Sequence, residues 1–145
     1  MLTPNQEEVR IQQRVAELER RFGDPGDPDN PLGLDALLAA DERGELLAEA
    51  EQVLAEFRLN AEFVPIELGG RLDRIDTLGR VLRGVFRRDA SLGLGYGATT
   101  FIAAIAIWTA GTPEQQRRVA QPVPRRGGPG VAFPQPPPPH HLLRQ

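Results

Sequence analysis

Side chains that could take part in catalysis or metal binding are few in this chain. Cysteine is absent, which excludes a thiolate nucleophile, a thiolate metal site and a disulfide. His140 and His141 are adjacent, so they lack the four-residue spacing that places a metal-binding pair on one helix face. The glutamates within residues 45–56 fall on the polar side of a predicted helix, with no predicted pocket to raise their pKa. The sequence therefore predicts no catalytic residue and no metal site.

A row of arginines is the main concentration of positive charge. Arg80, Arg83, Arg87 and Arg88 fall mainly on one side of a predicted helix. Such a row could contact the phosphates of a nucleotide-bearing ligand, or it could be a solvated face that pairs with acidic side chains. We favour the solvated face, because exposed arginines commonly keep their charged ends in water or pair with acids.

Small residues form a second candidate site, for binding rather than for chemistry. Gly95, Ala98 and Ile102 are spaced three and four residues apart, which places them on one face of a helix. Small residues there allow another helix to approach closely, or leave room for the apolar chain of a ligand, and the spacing does not distinguish the two. Tyr96 and Thr99 add hydroxyl groups near the same end of this segment.

The helix that should carry these residues is apolar on nearly all sides. Residues 98–110 hold no charged side chain, so we expect the central buried helix here, with Trp108 in the core. Gly111 is expected to end this helix in a left-handed turn. Thr112 and Gln115 then have the spacing of a capping box, which predicts that an amphipathic helix begins at once.

Upstream of this region the sequence predicts a series of amphipathic helices. Thr3 caps the first, which Gly23 ends. Asp35 can cap a short helix over residues 36–40, and a longer helix is predicted over residues 43–59.

A connection without helical periodicity follows at residues 61–73. Gly69 and Gly70 allow the chain to turn sharply within it. Asp73 or Asp76 then caps a helix that ends near residue 88.

Three short motifs occur in a fixed order between residues 46 and 120. They are a proline followed by a Gly-Gly turn, an Asp-Ala-Ser step, and a Gly-Thr-x-Glu-Gln-x-x-Arg sequence. Their residues are Pro65, Gly69 and Gly70; Asp89, Ala90 and Ser91; and Gly111, Thr112, Glu114, Gln115 and Arg118. In order and spacing, this stretch resembles the N-terminal helical domain of the acyl-CoA dehydrogenases. Arg71 and Leu72 depart from the family, which usually has a further glycine step there.

The resemblance implies an all-α fold, with an N-terminal helical bundle domain over residues 1–120. Family members are FAD-dependent and are usually homo-oligomers. They remove hydrogens from the α and β carbons of an acyl thioester carried on coenzyme A or a carrier protein. A glutamate takes the α-proton and the flavin takes the β-hydride. Both the flavin-binding β-domain and this glutamate lie C-terminal to the matching region, so no catalytic residue is assigned. The positions that match the floor of the acyl pocket are Gly95, Tyr96, Ala98, Thr99 and Ile102.

Residues 121–145 have a different composition from the rest of the chain. They hold eight of the fourteen prolines and no acidic residue, which predicts disorder or polyproline II conformation. All basic residues of the chain are arginine, as a GC-rich gene favours. One hypothesis is therefore that this tail is an out-of-frame reading, or that the chain is a truncated paralogue that is inactive alone and does not hold FAD tightly. Alternatives are a non-catalytic helical interaction module with a proline-rich docking tail, and a subunit that pairs with a separate flavin domain.

Charge and hydropathy limit the remaining classes of protein. The net charge of −3 argues against a dedicated nucleic-acid-binding protein. The apolar run at residues 98–110 is shorter than the ~20 residues that cross a bilayer. The N-terminus is polar over residues 5–10 and lacks the pattern of a signal peptide. We therefore expect a soluble, cytoplasmic chain with neither membrane nor nucleic-acid partners.

Overall fold

The computed structural model describes residues 3–121, except for the side chains of Ala98 and Thr99. Every regular element in this part of the chain is helical, and no strand occurs within it, which confirms the all-α prediction. Of the predicted tail at residues 121–145, residues 122–145 with the two histidines lie outside the described part of the structure. The α-helices are α1 (Pro4–Phe22), α2 (Leu34–Glu42), α3 (Ala48–Phe57), α4 (Ile75–Phe86), α5 (Ala90–Gly93), α6 (Thr99–Ala110) and α7 (Pro113–Ala120). Two 3₁₀ helices, Leu59–Phe63 and Ile66–Leu68, connect α3 to α4.

Both predicted capping boxes form. The Thr3 hydroxyl accepts from the backbone N–H of Gln6, and the Thr112 hydroxyl accepts from that of Gln115. In each box the glutamine side chain in turn accepts from the backbone N–H of the threonine. Because a capping box depends only on residues three apart, the sequence predicts it reliably.

The other predicted helix starts are shifted. Asp76 lies in the first turn of α4, where its carboxylate binds the guanidinium of Arg74, the residue at the N-cap. Asp35 likewise lies in the first turn of α2, after an N-cap at Gly33. The predicted helix over residues 43–59 begins only at Ala48, because Gly44 adopts a φ of 68° that turns the chain away from helix.

The core lies where α1, α3, α4 and the segment that begins α6 meet. Leu18 and Phe22 of α1 pack with Val81 and Val85 of α4, and all four are buried. Other buried core side chains come from α3 and its neighbours: Leu54, Phe57, Leu59, Phe63, Leu78, Leu92 and Tyr96.

The predicted sharp turn at Gly69 and Gly70 is present, and each glycine serves it differently. Gly69 has a φ of +87° and nothing described within 4 Å of the place where a Cβ would stand. At Gly70 a Cβ would lie 1.9 Å from the carbonyl oxygen of Val64. That oxygen accepts a hydrogen bond from the N–H of Leu72 (2.9 Å), so the returning chain passes directly over Gly70.

α5 and α6 form one continuous helical segment. A π-helical turn, Leu94–Ala98, joins them, and Asp89 caps the start by accepting from the N–H groups of Ser91 and Leu92. A Cβ at Gly93 would lie 2.6 Å from the ring of Phe86, so this glycine lets α4 pack closely. The joined helix, Ala90–Ala110, is long and apolar enough to cross a membrane by length and composition alone, and 38% of its most apolar window is buried. The helix predicted from the sequence began at residue 98 and is shorter, because the glycines at residues 93–97 were not expected to be helical.

The predicted helix over residues 98–110 is present as α6, but the prediction that it is buried at the centre of the domain is wrong. Ala104 is buried, but Ile102 is 70% exposed and Ile105 is 38% exposed. α6 packs against the joining turn, α7 and the first 3₁₀ helix, and no described element covers its outer side. Trp108 is half-buried, and its indole N–H donates to the carbonyl of Phe63 at 2.8 Å.

Gly111 ends α6, but not through the predicted left-handed turn, since it has no positive φ. Glycine is required there for space, because a Cβ would lie 2.5 Å from the carbonyl oxygen of Ile107.

Candidate functional site

The predicted pocket row is partly realised as an exposed surface. Gly95 and Ile102 both face solvent. Apart from its own helix, no described atom lies within 4 Å of the place where a Cβ on Gly95 would stand. Close packing is therefore realised at the neighbouring Gly93, whereas Gly95 leaves open space. The side chains of Ala98 and Thr99 lie outside the described part of the structure.

Tyr96 does not belong to this exposed row. It is buried, and its hydroxyl donates to the carboxylate of Glu51 on α3. Gly95 is exposed and Tyr96 is buried, because consecutive residues of a helix point in different directions. That Tyr96 lines an acyl pocket together with Gly95 and Ile102 stays a prediction. Tyr96 ties the joined helix to α3.

A groove of about 450 Å³ lies between α6 and α7. Ile102, Ala106 and Ala110 follow one another at spacings of four on α6, so the groove continues the exposed row toward the end of that helix. The walls are mainly apolar, and two polar side chains from α7 join them. The lining residues are Ala106, Ile107, Ala110, Gly111, Gln115, Arg118 and Val119.

Hydrogen bonds across the junction fix the angle between the two helices. The side-chain amide of Gln116 donates to the carbonyls of Ile107, Trp108 and Gly111, each at 3.3 Å. Two of these carbonyls belong to the last turn of α6 and the third to Gly111, which follows it directly. These hydrogen bonds therefore hold α6 and α7 in the arrangement that forms the groove.

Charge in the groove comes from one side chain. Arg118 is exposed and forms no ion pair with any described residue, whereas the side chain of Gln115 is engaged in the capping box. The groove thus combines a mainly apolar lining with one guanidinium that no carboxylate of the described residues pairs. It suits an apolar occupant that carries a carboxylate.

Sequence reasoning missed a buried charged cluster under the Gly-Gly turn. Glu62 is 1% exposed, and its carboxylate lies 3.1 Å from Nη1 of Arg71 and 3.5 Å from Nη2 of Arg14. Burial raises the pKa of Glu62, while both guanidinium groups act to lower it. A glutamate inside the otherwise apolar stretch at residues 61–66, followed by Arg71 directly after the Gly-Gly turn, was the available signal in the sequence. Because Glu62 is enclosed and paired, it cannot reach a substrate as a general base.

The arginine row of α4 agrees with the solvated interpretation. Arg80 makes two hydrogen bonds to the carboxylate of Glu8 on α1, at 2.7 and 2.8 Å. Arg87 lies 3.5 Å from Glu19, and Arg88 donates to the carbonyl of Gly23. Arg80 and Arg87 therefore pair with acidic side chains of α1, while Arg83 of the same row is exposed.

The groove between α6 and α7 does not fit a flavin nucleotide. A flavin nucleotide carries a diphosphate and a polar ring edge, which need several donors, whereas the groove offers one free guanidinium. No group of three or more potential metal-ligating side chains occurs within the described residues either. In comparisons with known proteins, no family model, no curated protein and no solved structure matches this chain.

Proposed function

We propose that this chain provides the N-terminal helical domain of an FAD-dependent acyl-CoA dehydrogenase, an oxidoreductase that desaturates acyl thioesters. The observation that carries the proposal is the open apolar row beside Gly95 and Ile102, at positions matching the acyl pocket of that family. Two of the motifs that carry the resemblance stand at helix junctions: Asp89 caps α5, and Thr112 caps α7.

The role assigned to this chain is structural and substrate-enclosing. Gly95 and Ile102, with Ala98 and Thr99 by resemblance, contribute one wall for the acyl chain of acyl-CoA or an acyl-carrier thioester. Tyr96 positions this wall indirectly, because its hydrogen bond to Glu51 holds the helix against α3. No described residue is assigned as the catalytic base.

In the intact enzyme, bound flavin would accept the hydride. No chemical step of the reaction is assigned to a described residue of this chain. Because the groove does not fit a flavin nucleotide, we expect the purified chain to lack stoichiometric flavin. Absorbance of the purified chain in the flavin range tests this expectation, and a one-to-one flavin content would contradict it.

Reading the gene in all three frames beyond codon 120 tests the proposal itself. A one- or two-base correction that restores a continuous frame with a flavin-binding β-domain and a later glutamate would support it. A verified sequence with no such frame, and no separate adjacent gene for that domain, would overturn it.

A second candidate function is a non-catalytic helical interaction module. The exposed outer side of α6 and the adjoining groove favour it, since soluble proteins seldom leave an apolar helix face unused. A pulldown whose signal depends on residues 134–139 would support a docking role for the proline-rich segment. Loss of the signal only on mutation of α6 would assign the role to the helical domain alone.

A further inference from the structure

The outer face of α2 has the chemistry that the groove between α6 and α7 lacks. Leu34 and Leu38 are 54% and 52% exposed, although they stand one helical turn apart on the same face. Asp41 and Glu42 continue that face at the next turn, and both are exposed. Neither forms an ion pair with any described residue. α2 is therefore an acidic helix with two leucines that are more than half exposed on its outer face.

The groove is complementary to this face in its apolar lining and in its charge. Three of its lining residues, Ala106, Ala110 and Gly111, are small, which lets the backbone of a docked helix approach closely. Ile107 and Val119 add apolar surface, and Arg118 adds a cation that forms no ion pair with a described residue. An apolar helix face seated in a hydrophobic groove is a common mode of protein recognition.

Acidic and basic side chains are unevenly distributed along the sequence. Residues 1–79 contain 18 acidic and 8 basic side chains, whereas residues 80–121 contain 2 acidic and 6 basic ones. Part of this basic charge is already paired within the chain, because Arg80 and Arg87 bind Glu8 and Glu19 of α1. The attraction between two copies therefore rests on Arg118 of one copy and on Asp41 and Glu42 of the other, which are exposed side chains.

We propose that the occupant of the groove is a second copy of this chain, which inserts the Leu34–Leu38 face of its α2 between α6 and α7. Asp41 or Glu42 of the inserted helix then pairs with Arg118. The two contact surfaces are different, so the contact is head-to-tail. This inference does not depend on the proposed enzymatic function.

Sedimentation velocity of the full chain over a range of concentrations tests the proposal. We expect the average mass to rise with concentration, and to rise less at high salt, because salt screens the charge pair. Arg118→Gln should weaken association about ten-fold, the scale of one good charge-assisted hydrogen bond. Arg117→Gln is the matched control, since Arg117 is the neighbouring exposed arginine and does not line the groove.

Charge reversal separates this contact from general stickiness. Arg118→Glu alone, or Asp41→Arg with Glu42→Arg, should each abolish association, and the chain that carries all three changes should associate again. All three residues are exposed, and circular dichroism confirms that each variant keeps its helices. A chain that stays monomeric at every concentration would overturn the proposal. Association that survives both in the Arg118→Glu variant and in the variant with Asp41→Arg and Glu42→Arg would also overturn the proposal. That result would assign the contact to the exposed row at Ile102.

Discussion

Gly70→Ala should destabilise the domain much more than Gly69→Ala, although the two glycines are neighbours in one turn. A Cβ at Gly70 would stand 1.9 Å from the carbonyl oxygen of Val64, which is far inside contact distance. To relieve this clash, the segment that contains residue 70 must move away from the segment that contains Val64. At Gly69 the space is open, and only the φ of +87° disfavours alanine.

The size of the effect follows from the hydrogen bonds that this movement breaks. The N–H of Leu72 donates to Val64, that of Arg71 to Ala61, and that of Ile66 to Leu72, at 2.9, 2.7 and 3.2 Å. At about 1 kcal/mol for each bond, Gly70→Ala should lower the free energy of unfolding by about 2–4 kcal/mol. Gly69→Ala should cost about 1 kcal/mol, the penalty for a left-handed alanine.

Urea unfolding followed by far-UV circular dichroism measures both changes. In a domain of this size each 1 kcal/mol corresponds to a shift of about 3–5 °C in Tm, so thermal unfolding gives a second reading. Gly69→Asn is a useful further control, because asparagine tolerates the left-handed region better than alanine does. If Gly70→Ala costs no more than Gly69→Ala, the close passage of the chain over Gly70 is refuted.

Three further predictions concern other elements. Gly93→Ala should destabilise by about 1–3 kcal/mol through overpacking against the ring of Phe86, whereas Gly95→Ala should be neutral or slightly stabilising in urea unfolding. The bond from Arg80 lowers the pKa of Glu8 from 4.5 to about 2, so its stabilisation is present above pH 4.5 and is lost as the pH falls toward 2; Glu8→Gln should flatten this part of the stability–pH curve. Thr112→Ala should cost about 0.5–2 kcal/mol by removing the cap of α7, and equal unfolding midpoints for variant and wild type would contradict it.

Features that depend on nearby residues could be predicted from the sequence. The two capping boxes form as expected, because the threonine and glutamine of each are three residues apart and need no distant partner. The engagement of the α4 arginines also agrees with expectation, since α1 offers Glu8 and Glu19 on the facing side.

Features that depend on packing between distant parts of the chain could not be predicted from the sequence. A helix that is apolar on all sides has no periodicity to show which side is covered, so the exposure of Ile102 was not foreseeable from residues 98–110. The burial of Tyr96 depends on α3, where its hydroxyl donates to Glu51, 45 positions away in sequence, and local periodicity does not reveal this contact. The burial of Glu62 requires Arg14, which is 48 positions away in sequence.

The pairing of α1 with α4 also bears on how the chain is made. Leu18 and Phe22 find their buried surroundings partly on α4, whose last residue, Phe86, is synthesised 64 positions after Phe22. At about 5–20 residues per second, translation leaves the apolar stripe of α1 without that partner for roughly 3–13 s. During this interval the nascent chain presents the surface that chaperones recognise. The ion pair between Glu8 and Arg80 cannot hold α1 in place until α4 has left the ribosome.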